Sequence, residues 1–257
     1  AKYMRAEARF LRAQSYYHAL DLFGNVPFVD ENTPAGELPK RITRAELFKW
    51  VESELLAVAN DLKDPKTNEY GRADKAAAWT LLARLYLNAK VYTGTERNND
   101  VVTYANKVIS SGYSLKSKYS DLFLADNNLN NPEVILSINY DGIKSQTYGG
   151  TTFLVHAAVG GSMAPADFGI GGGWGGLRVT KTFVNKFTDA NDKRGNFYTQ
   201  GQSLEINDLG DFKNGYAFIK YKNMTSDRKE GSDGPTKGSG TFVDADIPLY
   251  RLADVYL

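Results

Sequence analysis

The sequence contains no cysteine. That excludes disulfides, thiolate metal sites and cysteine nucleophiles, and it says little about redox compartment. Histidine is nearly absent too. His18 and His156 are the only two, too few for histidine-based catalysis or a zinc centre, and His18 reads as an ordinary helical residue. An excess of one charge is also missing. Lys and Arg number 31 against 30 Asp and Glu, a net charge of +1, so no strong field points to nucleic acid or an acidic membrane. No apolar run approaches the roughly 20 residues of a transmembrane helix. Neither GxxxxGK[ST] nor a strand–GxGxxG–helix context occurs, so no phosphate cradle is expected.

What is present is a chain of 257 residues, 42% hydrophobic and 24% charged, ordinary values for a globular protein. It is rich in rings (16 Tyr, 13 Phe and 3 Trp) and holds 24 glycines. Such a chain has many flat faces to offer and many places where backbone can approach a ligand.

The clearest helix lies within residues 71–87. Asp74 stands where an N-cap belongs, after Gly71 and before an Ala- and Leu-rich run. Stripes through Ala78, Leu82, Leu85 and Ala89 and through Trp79, Leu82 and Tyr86 make it apolar over more than half its circumference, so burial between neighbours is expected. The spacing Trp79-x-x-Leu82-Ala83-x-x-Tyr86 matches the first helix of a tetratricopeptide (TPR) repeat. Around it, Tyr3, Ala6, Phe10, Ala13, Tyr17 and Leu20 predict a helix over 2–23 that stops at Gly24. Thr43-Arg44-Ala45-Glu46 is a capping box opening a second helix, with Leu47, Val51, Leu55, Val58 and Leu62 inward and Pro65 as its end. Residues 28–42 and 91–99 read as loops. Residues 100–110 form a fourth helix with Val101, Ala105, Val108 and Ile109 inward. Starts of the second, third and fourth helices about 25–31 residues apart predict stacked helix hairpins, a mainly α, TPR-like architecture.

After residue 113 the texture changes. Residues 133–140 and 216–221 read as strands, and 180–189 as a short helix with Phe183, Val184 and Phe187 inward. Asp126, Asn128 and Asn130 mimic the start of a calcium loop, but Asn131 and Ser137 stand where Gly and Glu are required. Asp189 and Asp192 beside Lys193 and Arg194 read as local salt bridges. Residues 231–240 read as a mobile loop. Residues 149–176 hold ten glycines in 28 positions, punctuated by Phe153, His156, Phe168 and Trp174 and preceded by Tyr148. Two readings are open: a long loop packed onto the helices, or an aromatic platform for a flat ligand.

Taken in order, these features resemble the SusD/RagB family of nutrient-binding outer-membrane lipoproteins. The likeness is carried by Leu22-Phe23-Gly24-Asn25-Val26-Pro27, by Gly71-Arg72-Ala73-Asp74-Lys75-Ala76-Ala77 through Leu82-Ala83-Arg84-Leu85-Tyr86-Leu87, and by Asn131-Pro132-Glu133-Val134-Ile135. It continues through Asp192-Lys193-Arg194, then Asp246-Ile247-Pro248 and Arg251-Leu252-Ala253-Asp254-Val255-Tyr256-Leu257. The chain opens inside one helix and closes inside another, so an internal fragment is expected. The resemblance implies a TPR-like scaffold (residues 1–115) with a loop-rich ligand face (116–257) packed on it as one structural domain, ending in a truncated helix. It further implies a surface-exposed outer-membrane location through a lipid anchor outside this fragment, and a SusC-like TonB-dependent porin as partner. The implied activity is non-catalytic binding of oligosaccharides, or in some members peptides.

For a sugar, rings stack on the C–H face while polar groups bond the hydroxyl edge. Trp174 is the first candidate, Tyr148 and Phe168 follow, and Asp167 and Arg178 are the polar candidates. No cofactor and no metal is called for. A TPR-type adaptor is the alternative. A glycoside hydrolase would need two carboxylates in a cleft; Asp167, Asp189 and Glu205 exist, but none has a recognisable catalytic context.

Overall fold

A computed structural model describes residues 1–257. Two compact units separate. The first comprises Ala1–Leu115, Glu133–Leu136 and Leu249–Leu257; the second comprises Lys116–Pro132 and Ser137–Pro248. The chain's last segment, expected to belong with the loop-rich face, is therefore part of the helical unit.

In the helical unit, α1 (Lys2–Phe23) buries Ala6, Phe10, Ala13, Tyr17 and Leu20, the stripe its sequence spacing predicts. Gly24 closes it at φ 75°, returning its N–H to the Leu20 carbonyl. Residues expected to form only a connector instead contain a short antiparallel pair, β1 (Val26–Phe28) with β2 (Lys40–Ile42). Helix α2 (Arg44–Ala59) carries the capping box in full: Thr43 Oγ1 accepts from Glu46 N–H at 3.3 Å, and Glu46 Oε2 accepts from Thr43 N–H at 3.2 Å. It ends at Asn60, before Pro65. Helix α3 (Lys75–Leu87) is buried through Ala76, Ala77, Ala78, Leu81, Leu82, Leu85 and Tyr86. Burying each of these leucines stabilises by about 1.5–3 kcal/mol. The expected 91–99 loop begins with a further turn of helix, α4 (Ala89–Thr93), which ends on left-handed Gly94, and α5 (Asn98–Ile109) follows.

Packing runs α1 on α2, α2 on α3 and α3 on α5, the stacked order expected of helix hairpins. Trp79 lies half-buried against this core, a packing residue. The stack continues with α8 (Leu252–Tyr256), which follows β6 (Ile247–Arg251) and packs on α5. Strand β6 pairs with β3 (Val134–Ile138), the shorter form of the strand read at 133–140.

Polar groups lock the helices. Asp74 is 3% exposed. Its Oδ1 accepts from Ala77 N–H at 3.0 Å, and its Oδ2 accepts from Lys66 N–H at 2.8 Å and the Tyr113 hydroxyl at 2.7 Å. Burial nevertheless wins and holds this carboxyl above its ordinary value. Arg72 pairs with Glu7 at 2.5 Å and Lys75 with Asp64 at 2.6 Å, so both cations of the α3 entry serve the scaffold. Glu54 accepts from both Arg9 and Arg12.

The loop-rich unit has little regular structure: 3-10 turns at Tyr119–Phe123 and Pro165–Phe168, α6 (Gly150–Ala157), α7 (Lys181–Val184), and the two-residue strands β4 (Arg178–Val179) and β5 (Tyr216–Ala217). The strand read over 216–221 is thus reduced to its first two residues. Helix α6 lies inside the glycine-rich stretch, where a loop was expected. The short α7 does not turn Phe183 inward; that ring is 40% exposed and packs edge-on against Phe187 and Phe197. The core is Val155, Val159, Met163, Phe168, Ile170, Ala217, Ile219, Val243 and Ala245.

Without ladders, buried backbone groups need side-chain partners. Asn127 supplies them, donating to the Leu122 and Asp246 carbonyls and accepting from Asp246 N–H. Asn223, fully buried, donates to the Gly169 carbonyl and accepts from Asp244 N–H. Asp233 accepts from Ser239 N–H and hydroxyl and from Thr241 and Phe242 N–H groups. The 231–240 run, expected to be mobile, is thereby pinned. Burial acts to raise the Asp233 carboxyl, but these donors outweigh it and hold it below its ordinary value.

Candidate ligand-binding site

The glycine-rich stretch folds back on the end of α6. A helix leaves its last carbonyls without helical partners. Here the loop supplies them: Trp174 N–H donates to the His156 carbonyl (2.8 Å), Gly175 N–H to that of Val159 (2.9 Å), and Gly176 and Leu177 N–H groups to that of Ala157 (both 2.7 Å). The approach is so close that a Cβ on Gly173 would stand 2.2 Å from the Val159 carbonyl oxygen. Only glycine fits there.

This docking fixes Trp174. Its ring stacks on His156 with centroids 4.6 Å apart and planes at 23°. His156 is 3% exposed. Its Nδ1 lies 2.6 Å from the Gly172 carbonyl oxygen and its Nε2 2.7 Å from that of Thr241. The imidazole thus ties the loop carrying Trp174 to the segment carrying Phe242. Phe153, three residues before His156 on α6, lies 6.5 Å from Trp174, and Tyr148 lies 6.4 Å from it on the approach to the helix. Phe242 packs against Tyr148 at 5.3 Å. Tyr148 is 67% exposed, and Phe153 and Trp174 are each 46% exposed. Rings this large are seldom left in water side by side; a contiguous exposed apolar patch marks an interaction surface.

Of the sequence candidates, the structure brings together Trp174 and Tyr148. Phe168 does not join them. It is 4% exposed, in the core, with the Lys222 ammonium 4.7 Å above its ring. Burial pushes that ammonium below its ordinary value, and Asp167 opposes the shift. Asp167 itself is exposed on the Pro165–Phe168 turn, with no ring contact or hydrogen bond to the platform among the described residues. Arg178 is committed elsewhere. It donates to the carbonyls of Leu209, Asp211 and Asn214 at 2.6–2.8 Å and covers the Phe212 ring, so it clips a loop rather than meeting a ligand. Phe153 and Phe242 are platform members that sequence reasoning did not select. The i, i+3 spacing of Phe153 and His156 would have pointed to the first once α6 was recognised.

Other polar groups are accounted for locally. Asp126 accepts from Ser226 N–H and hydroxyl. Asp189 accepts from Asn191 N–H, and Glu205 pairs with Lys181.

A TPR-like helical unit joined in one chain to a loop-rich unit defines a recognisable class, and comparisons with known proteins agree. No family model matches the chain. Starch-binding protein SusD of Bacteroides thetaiotaomicron is 35% identical, over 98% of this chain and 53% of its own. A SusD superfamily protein of Parabacteroides distasonis superposes with TM-score 0.74 at 23% identity, over 99% of this chain and 54% of its own. Surface glycan-binding protein A of Bacteroides thetaiotaomicron, solved in complex with laminarihexaose, gives 0.70 at 22%, over 99% of this chain and 56% of its own. The chain belongs to the SusD/RagB family. It spans about half the length of the curated relatives it matches.

Proposed function

We propose that this chain is the binding part of a surface glycan-binding protein that holds oligosaccharides without transforming them. The observation that carries the reading is the contiguous Tyr148, Trp174 and Phe153 surface backed by buried His156. Sugar rings present C–H groups on one face, and such rings stack on them; the exposed backbone of the glycine loop is available to hydroxyls. Two relatives, one a starch-binding protein and one solved in complex with laminarihexaose, support the ligand class, and relatives of this kind are described as binding proteins rather than catalysts. Delivery to a SusC-like TonB-dependent porin, and a surface-exposed outer-membrane location through a lipid anchor, belong to the same proposal. Co-purification of such a porin with the tagged protein tests the partner.

A shallow platform of this kind binds with Kd of about 10–1000 μM, or about −7 to −4 kcal/mol. The test is titration calorimetry with maltoheptaose and laminarihexaose on wild type, Trp174→Ala and Tyr148→Ala. About 250 Å² of tryptophan surface at 46% exposure leaves about 115 Å² to cover, and one sugar face covers about half, worth about 1.5 kcal/mol. Trp174→Ala should therefore weaken the bound glycan about tenfold. Unchanged affinity would remove the platform from the site, and release of new reducing ends would replace binding by hydrolysis.

A further inference from the structure

The loop-rich unit holds a concavity that shares no residue with the aromatic platform. Its volume is about 690 Å³, inside the ~300–1,000 Å³ of small-ligand sites. Three segments line it: the turn around Tyr119, the 190–196 loop, and Phe218 with Lys220. The Asp192-Lys193-Arg194 motif, to which the platform assigns no role, lies in this lining.

The charge of the lining decides what it can hold. Four cations, Lys118, Lys193, Arg194 and Lys220, line it with one carboxylate, Asp192; Lys118 also pairs with Asp121 at 2.9 Å, which leaves the site two charges positive in a chain whose net charge is only +1. Arg194 already shows the geometry it prefers. Its Nε and Nη2 fork onto the two oxygens of Asp192 at 2.7–3.1 Å, the planar match that guanidinium makes with carboxylate or sulfate. Lys193 beside it is exposed. The cations are interleaved with rings: Tyr119 packs edge-on to Phe123 at 5.1 Å, Lys220 sits 4.3 Å over Phe123, and Phe218 adds a partly exposed ring. Asn196, Ser117 and Ser120 complete the lining with neutral hydrogen-bonding groups. Cations, ring faces and small polar groups in one concavity match a ligand with an acid group, an apolar ring face and hydroxyls.

We propose that this cleft is a second saccharide site, selective for an anionic sugar, with the carboxylate or sulfate against Lys193, beside the Arg194–Asp192 pair, and a C–H face on Tyr119 or Phe218. It requires nothing of the Tyr148–Trp174 platform.

The experiment titrates trigalacturonate, a sulfated disaccharide, maltotriose, inorganic sulfate and triglutamate into wild type, Lys193→Glu, Tyr119→Ala and Trp174→Ala at low ionic strength. Nuclear magnetic resonance shifts of labelled protein locate each ligand. At least one anionic sugar should bind below ~1 mM, shift resonances of the 118–120 and 192–196 segments, and weaken as salt rises. Lys193→Glu should weaken it about tenfold and Tyr119→Ala about fivefold, while Trp174→Ala leaves it unchanged. Lys193 is exposed, so its variant keeps the fold, and circular dichroism checks this. The proposal is overturned if neither anionic sugar binds, if Lys193→Glu binds as wild type does, or if maltotriose occupies the cleft equally well. Equal or tighter binding of inorganic sulfate or triglutamate would overturn it too, by removing the sugar from the recognition.

Discussion

Replacing Gly173 by alanine tests how the platform is built. The added Cβ would stand 2.2 Å from the Val159 carbonyl oxygen and 2.6 Å from its carbon, both backbone atoms that no rotamer change can move. Ordinary contact begins near 3.4 Å, so the loop must retreat by about 1 Å. That retreat stretches the two hydrogen bonds flanking it, from Trp174 and Gly175 N–H groups at 2.8 and 2.9 Å. Losing both costs about 1–3 kcal/mol, since the His156 carbonyl keeps the Val159 N–H at 3.2 Å and only that of Val159 is left unmet. It also slides Trp174 off His156, so glycan affinity should fall about tenfold. The neighbouring Gly172 supplies the control, since a Cβ there meets nothing within 4 Å and the carbonyl facing His156 is retained. Urea unfolding and calorimetry on both variants give the comparison. If Gly173→Ala lies within about 0.5 kcal/mol of Gly172→Ala and binds glycan equally, the loop-docking account of the site is wrong.

Asp74→Asn keeps an oxygen for the Ala77 N–H but turns an amide donor toward Lys66 N–H and the Tyr113 hydroxyl. The Tyr113 hydroxyl can turn to accept from the amide, so the Lys66 N–H alone is orphaned, which should cost about 1–3 kcal/mol in urea midpoint analysis; a loss under about 0.5 kcal/mol would refute the network. Glu54 gives a pH dependence. Burial acts to raise its carboxyl, but Arg9 and Arg12 outweigh that and hold it below its ordinary 4.5. A carboxyl lowered by folding contributes stability that is present above 4.5 and lost as pH falls through the folded value. Glu54→Gln should cost about 1–3 kcal/mol at pH 7 and converge with wild type in acid; a difference independent of pH would contradict the pairing. Arg178→Met should speed proteolysis of the 205–215 loop that it clips, with glycan affinity within about twofold of wild type. A tenfold loss of affinity would return Arg178 to the site.

The helices were legible because their signals are local. The capping box at Thr43, the Asp74 cap and the apolar stripe of α3 each fall within a few turns of chain, and each stands where its spacing predicts. The β1–β2 pair was not legible, since it joins residues 26–28 to 40–42 across a Pro- and Gly-containing loop. Helix α6 was hidden for a different reason. Two glycines at its start and two after its end argue against a helix, and its carbonyls are satisfied by a loop some twenty residues later.

The same physics divides the predicted site residues. Phe168 and Trp174 are six residues apart in one glycine-rich stretch, and composition treats them alike. A 3-10 turn ends at Phe168, and left-handed Gly169 then redirects the chain, so Phe168 enters the core beside Val155 and Ile170. Trp174 follows a glycine pressed against Val159, which leaves its ring on the outside with one face on His156. Backbone geometry that only glycine permits therefore decides which ring enters the core and which is left exposed. Arg178 shows the complement: its guanidinium satisfies three loop carbonyls from residues 31–36 positions away, a demand invisible in local sequence. In a unit with few ladders, long polar side chains near a ligand face are recruited to hold backbone together. Tyr148, Phe153 and Trp174 have no such duty, and their rings are among those this unit leaves exposed.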